Sequence, residues 1–167
     1  MTKVNKLKFS PTPDTTNLKN ATLILPSISV GNIGQLSIDI LLASLKTQRL
    51  AACHHPSLIP LVGSNPLDAK STELMTACEL YISEKDARME CDQNIVLMQI
   101  RSAIAQNKSG VFLDDLLSWC NHVGIQNGKW SFWLPTLVKI NIAPHLTLHI
   151  IPDIVNTIIM FFVFDFQ

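Results

Sequence analysis

Several places in the sequence hold residue types whose spacing suggests chemistry. Gly31 and Gly34 sit between an apolar run and a helical pattern. That is where a phosphate cradle forms, because a glycine turn lets the free N–H groups of a helix N-terminus meet an anion. The dinucleotide fingerprint requires a third glycine at a fixed offset, and the P-loop requires Gly-Lys-Ser/Thr. Neither is present, so a plain structural corner is the better reading. Gly63-Ser64-Asn65 lacks the Gly-x-Ser-x-Gly frame of a nucleophile elbow and reads as polar turn residues. His145 and His149 have the spacing of a metal pair, but Pro144 precedes them and apolar residues alternate between them. His54 and His55 are the histidines nearest the glycine turn in sequence, and at a loop edge they are expected to be solvated. Asp114 and Asp115 read as early-helix acids on the wet side that complement the helix dipole, rather than as a catalytic pair. Cys53, Cys78, Cys91 and Cys120 form no C-x-x-C motif, so reduced thiols are the default. No catalytic residue, cofactor or metal ligand is expected.

The elements that would position these residues begin with a buried strand over Ala21–Val30, a turn at Gly31 and Gly34, and a helix over Gln35–Leu45. At about 100° per residue that helix carries two apolar stripes. Leu36, Ile40 and Ala43 form one; Ile38, Leu41, Leu42 and Leu45 form the other. One stripe suffices to dock a helix on its own sheet, so the pair predicts either a central helix in a large core or a second stripe shared with a partner. In a chain this short the second reading competes equally and makes this face a candidate oligomer interface. The candidate partner-binding residues are Gly31, Asn32, Gly34, Gln35, Ile38, Leu41, Leu42 and Leu45, with Leu61, Val62, Gly63, Asn65 and Pro66 from the next loop.

Residues 1–20 read as a polar, disordered leader without the features of a mitochondrial presequence. Lys46–Arg49 supply a cationic last turn, and Leu50–Cys53 begin a second strand. Leu58–Leu67, broken by Pro60, Gly63 and Pro66, is expected as an ordered loop held by packing rather than by a ladder. Ser71–Ser83 alternates as one strand, Glu84–Asp92 reads as a solvated connection, and Gln93–Arg101 has the apolar run of a central strand. Phe112, Leu113, Leu116, Leu117, Cys120 and Val123 recur at helical spacing. Residues 124–167 hold only Lys129, Lys139, Asp153 and Asp165 as charges and most of the aromatics. Trp130–Leu134 and Ile154–Phe164 are β-prone, and the latter is far shorter than the ~20 residues a spanning helix needs.

With 167 residues, one domain is expected, and 47% hydrophobic content supplies a core. Charges balance at 13 against 13, which gives no electrostatic case for nucleic acid or an anionic membrane.

Leu25-Pro-Ser-Ile-Ser-Val-Gly-Asn-Ile-Gly-Gln-Leu36 resembles the opening of the proteasome assembly chaperone 2 family. Leu58-Ile-Pro-Leu-Val-Gly-Ser-Asn-Pro66, Ser71-Thr-Glu-Leu74, Ala77-Cys-Glu-Leu-Tyr81, Val96–Ser102 and Leu116-Leu-Ser-Trp119 continue the likeness in order. It covers residues 21–123. The resemblance implies an α/β fold, a Rossmann-like three-layer αβα domain incomplete at the C-terminus, without enzymatic activity. It also implies a cytoplasmic and nuclear heterodimer with proteasome assembly chaperone 1 that holds alpha-type subunits while the alpha ring of the 20S proteasome assembles. Residues 124–167 depart from the family as a divergent hydrophobic tail, as in a truncated or alternative product. The end, Asp165-Phe166-Gln167, lacks the hydrophobic-Tyr-any tail by which some members dock on the ring. The competing expectations are a nucleoside- or phosphate-binding enzyme on a related scaffold, and a nonfunctional truncated product.

Overall fold

The computed structural model describes residues 6–26, 32–83 and 94–125, and the backbone of 127–132, 146–151 and 159–165. The elements in chain order are β1 (Lys8–Ser10), a 3-10 turn (Thr15–Asn17), β2 (Thr22–Pro26), α1 (Ile33–Ser44), β3 (Thr47–His54), β4 (Val62–Ser64), β5 (Leu74–Thr76), β6 (Cys78–Ser83), β7 (Ile95–Ile100), α2 (Ser109–Val123), β8 (Asn127–Phe132), β9 (Leu146–Ile151) and β10 (Ile159–Asp165). Eight strands form one mixed sheet in the order β1-β3-β6-β7-β2-β8-β10-β9, and β4 and β5 make a separate two-stranded ribbon.

The α/β class is as expected, but the sheet differs from an all-parallel Rossmann sheet. Among the described strands only the pairs β7–β2 and β2–β8 are parallel, while β1, β3, β6, β9 and β10 make antiparallel pairs. The parallel core follows from the connection: β7 reaches β8 through α2, the helical crossover that parallel strands require. Alternation along the central strands sorts their side chains onto two faces. Leu23, Leu25, Val96, Met98 and Ile100 join Phe112, Leu116 and Cys120 of α2 in one core. Ile24, Leu97 and Tyr81 join Ile38 and Leu42 of α1 in the other. The sheet is thus covered by α2 on one face and α1 on the opposite face.

Five local expectations change. Residues 6–20 are not a disordered leader: Leu7 and Leu18 are buried, and the Phe9 ring lies 4.5 Å from that of Trp119. The leader is also tied to the end of α2, where Gly124 takes φ 78°. Ile125 N–H donates to the Cys120 carbonyl at 3.0 Å, and Asn20 N–H to the Gly124 carbonyl at 2.8 Å. Three apolar anchors outweigh the polar average of the segment. Lys46–Arg49 do not form a helical last turn, because Leu45 already has extended φ and ψ and sends the chain directly into β3. Leu58–Leu67 gains a ladder after all, through Val62–Ser64 pairing with Leu74–Thr76. The single strand expected over Ser71–Ser83 is two strands, divided at Ala77. Asp115 and His55 are buried rather than wet. The expected connection Glu84–Asp92 and His145 lie outside the described residues, as do the side chains of 124–167 beyond Ile125. Backbone strands β8, β10 and β9 nonetheless continue the same sheet.

Candidate protein-interaction face

The face begins with residues that a strand and a helix must both leave polar. On β7 the alternation places Gln99 on the α1 side, continued by Arg101 just beyond the strand. Gln99 is fully buried. Its amide donates to the Gln35 carbonyl at 2.9 Å and to Asp39 Oδ1 at 2.7 Å, while its own oxygen accepts from Ile100 N–H. Arg101 grips both oxygens of Asp39, at 3.1 and 2.8 Å, in the two-pronged geometry that guanidinium suits. Gln35 and Asp39 are one helical turn apart, so a single stripe of α1 is bolted to the end of β7.

A second polar knot lies on the same face of β6. Glu79 is 1% exposed and pairs with Arg49 of β3 at 2.7 Å. It also accepts from Thr76 N–H at 3.0 Å and from the Tyr81 hydroxyl at 2.7 Å. A buried carboxylate is tolerable only when so satisfied. Burial and the bond to Glu79 together push the Tyr81 phenol well above its ordinary value. Gln35 Oε1 and Arg101 Nε are buried without a partner among the described residues.

Around these knots the surface is apolar. Ile38 is 0% exposed and Leu42 is buried beside it, with Leu41 and Leu45 packed partly against the same core. The other stripe points away from the sheet: Leu36 and Ile40 are each 57% exposed. The longer stripe, Ile38, Leu41, Leu42 and Leu45 among the candidate partner-binding residues, thus docks α1 on its own sheet, and the shorter one is left open. Met75 of β5 joins the Ile38–Leu42 core, which sets the β4–β5 ribbon on the α1 side. There Val62 and Leu74 are 61% and 63% exposed, with Leu61 also open.

Of the candidate residues, Gly31 lies outside the described residues. Asn32 is exposed and takes φ 55°, a left-handed conformation that asparagine tolerates, at the start of α1. Gly34 is buried, and Gln35 contributes its carbonyl to the first polar knot. Gly63 and Pro66 are exposed on and beside the ribbon, and Asn65 closes a turn by accepting from Leu67 N–H at 2.9 Å. Asp39, Glu79, Gln99 and Arg101 escaped the sequence reading. Their signal was a polar residue at a core-facing position of each element.

The buried His55–Asp115 pair is arranged as structure. Ser57 N–H donates to His55 Nδ1 at 3.0 Å, which leaves the ring proton on Nε2, facing Asp115 Oδ2 at 3.0 Å. Both ring nitrogens are thereby engaged, and neither is left to take a proton from a nucleophile. No group of three or more His, Cys, Asp or Glu able to hold a metal occurs among the described residues. No helix among them is long and apolar enough to cross a membrane.

The model of the PAC2 family matches residues 23–127, from β2 through α2 to the first residue of β8. The chain belongs to the PAC2 family. Proteasome assembly chaperone 2 of Danio rerio is 39% identical over 112 residues, 65% of this chain and 40% of that protein. The Homo sapiens protein of the same name is 33% identical over 111 residues, 65% of this chain and 39% of that protein. The matches to this PAC2-family chain thus span about 40% of the length of these relatives. The crystal structure of PbaB from Pyrococcus furiosus, an archaeal proteasome activator, superposes with a TM-score of 0.51. At 16% identity, over 74% of this chain and 49% of that one, it supports the fold alone. The open stripe of α1 and the β4–β5 ribbon both lie within the family-matched stretch.

Proposed function

We propose that this chain is a non-enzymatic chaperone for assembly of the 20S proteasome alpha ring, acting as a heterodimer with proteasome assembly chaperone 1. The observation that carries this reading is the open apolar surface of Leu36, Ile40, Val62 and Leu74 on one side of a PAC2-family sheet. Scattered single apolar residues are ordinary on a surface, but four large ones on a rigid helix and an adjacent ribbon are the composition of an interface core. The polar knots beneath hold that surface to one shape, so little is lost to ordering on binding. Names carried by the relatives supply the partner class. The heterodimer forms through the α1–ribbon face, and alpha-type subunits bind to the assembled pair, in the cytosol and nucleus. Residues 21–123 form the chaperone unit, and the strands beyond it extend the sheet.

The test is co-purification of tagged full-length chain with proteasome assembly chaperone 1 and alpha-type subunits, beside a Leu36→Asp/Ile40→Asp variant. The wild-type chain retains both partners and the variant loses them. Failure of the wild-type chain to retain either would identify a nonfunctional product. Saturable nucleoside or phosphate binding, lost on replacing Asn32, would instead revive an enzyme on this scaffold.

A further inference from the structure

A second surface lies at the β1 edge of the sheet. The N-terminal residues, the end of β3 and the loop after it enclose a cleft of about 430 Å³. That volume is in the range of sites for small ligands or a few peptide residues. Its buried lining is Cys53, Leu58 and Ala77 with His55, whose ring nitrogens are already engaged, and its rim carries exposed Lys6, Lys8 and His54. Cys53 and Leu58 belong to the core under α2, while Lys8 and His54 pair across β1 and β3 and alternate to the other face. None of the lining residues belongs to α1 or to the β4–β5 ribbon. No acid lines it, and among the described residues neither lysine has an acidic partner. An apolar floor under an unneutralised cationic rim complements a ligand with a carboxylate at one end and a hydrocarbon group beside it.

The position of the cleft selects among such ligands. β1 is the last strand at its end of the sheet. It pairs with β3 through Lys8 opposite His54, and no described strand covers its outer side. An edge strand offers backbone N–H and C=O groups to a further extended chain. A free small acid has no use for that edge, whereas a peptide does.

We propose that this cleft binds the carboxyl-terminal residue of an extended peptide, its carboxylate among Lys6, Lys8 and His54 and its apolar side chain on the Cys53–Leu58–Ala77 floor. A charge-assisted contact at the rim gives the terminus its specificity, and the floor excludes polar final residues.

The test titrates the full-length chain with a fluorescent tetrapeptide, Ala-Ala-Val-Leu with a free carboxyl end. The same peptide ending in an amide, and isovalerate as a competitor, accompany it. The free acid binds saturably, and the amide binds at least about tenfold more weakly, as expected for loss of a charged contact. Lys8→Glu, an exposed change whose fold is checked by circular dichroism, lowers affinity for the acid by a similar factor and leaves the amide unaffected. Equal binding of acid and amide, indifference to Lys8→Glu, or no saturable binding would overturn the proposal. Isovalerate competing at the affinity of the peptide would overturn the peptide as occupant.

Discussion

At the scale of single residues, the buried carboxylates among the described residues are each held by polar partners. Asp115 faces His55, and Glu79 collects Arg49, Tyr81 and a backbone N–H. Asp115→Leu leaves the His55 ring N–H buried without an acceptor and should cost about 2 kcal/mol, read by urea unfolding. Glu79→Ala leaves the buried Tyr81 hydroxyl without its acceptor, while Arg49 is one-third exposed and keeps water, and should cost about 2 kcal/mol by the same measurement. Buried thiols impose a dependence on alkali. Burial pushes Cys120 from its ordinary 9.0 up to about 12, and Cys78 is pushed up by its bond to Cys53 and by burial. A thiol held neutral in the folded chain but ionised in the unfolded one favours folding fully below the unfolded value. That contribution fades as pH rises from about 9 towards 12. Unfolding free energy should therefore fall across that window, and Cys120→Ala should flatten part of the fall. A pH-independent stability between 9 and 12 would contradict it.

At the scale of elements, α1 shows how much the sequence reveals and where it stops. Helical periodicity located the helix within two residues at its start and exposed two apolar stripes, but not which one meets the sheet. That choice depends on Asp39, which must sit over Gln99 and Arg101, and so rotates Ile38 and Leu42 inward and Leu36 and Ile40 outward. No local pattern contains a contact across about sixty residues of chain. The strand β7 and helix α2 were legible because each has an unbroken pattern of its own. The leader was not, since Leu7, Phe9 and Leu18 gain their meaning only against Trp119 and the end of α2. The ribbon β4–β5 was missed for a similar reason: two three-residue strands fall below any periodicity. The candidate site divided accordingly, with the loop residues Leu61 and Val62 found on the surface and the helix residues Ile38 and Leu42 found in the core. It follows that Ile38→Ala should cost about 3 kcal/mol of stability. Leu36→Ala should stay within about 0.5 kcal/mol, because its side chain is already in water. Equal losses from the two substitutions would mean that α1 is rotated from this register.

At the scale of the whole molecule, the described residues form a mixed sheet with α1 and α2 on opposite faces and present two surfaces of different character. The α1–ribbon face is apolar and stiffened from beneath, suited to a folded protein partner. The β1 edge is cationic over a small apolar floor, suited to a chain end. Family membership spans β2 to the start of β8, so the α1–ribbon face lies wholly within the shared part, whereas β1 and the lysines of the cleft precede it. The first surface is the one we assign to the proposed chaperone role. Charged substitutions at the two surfaces should act independently, since no side chain is shared between them: Lys8→Glu should leave the proposed heterodimer intact.

The central claim is that the outward stripe of α1 is the contact for a second chaperone. The most direct measurement is titration calorimetry of the purified full-length chain with purified proteasome assembly chaperone 1, wild type against Leu36→Asp/Ile40→Asp, with circular dichroism of both. A saturable one-to-one complex that disappears in a variant of unchanged fold is the predicted result. A complex of undiminished affinity in that variant would contradict the claim.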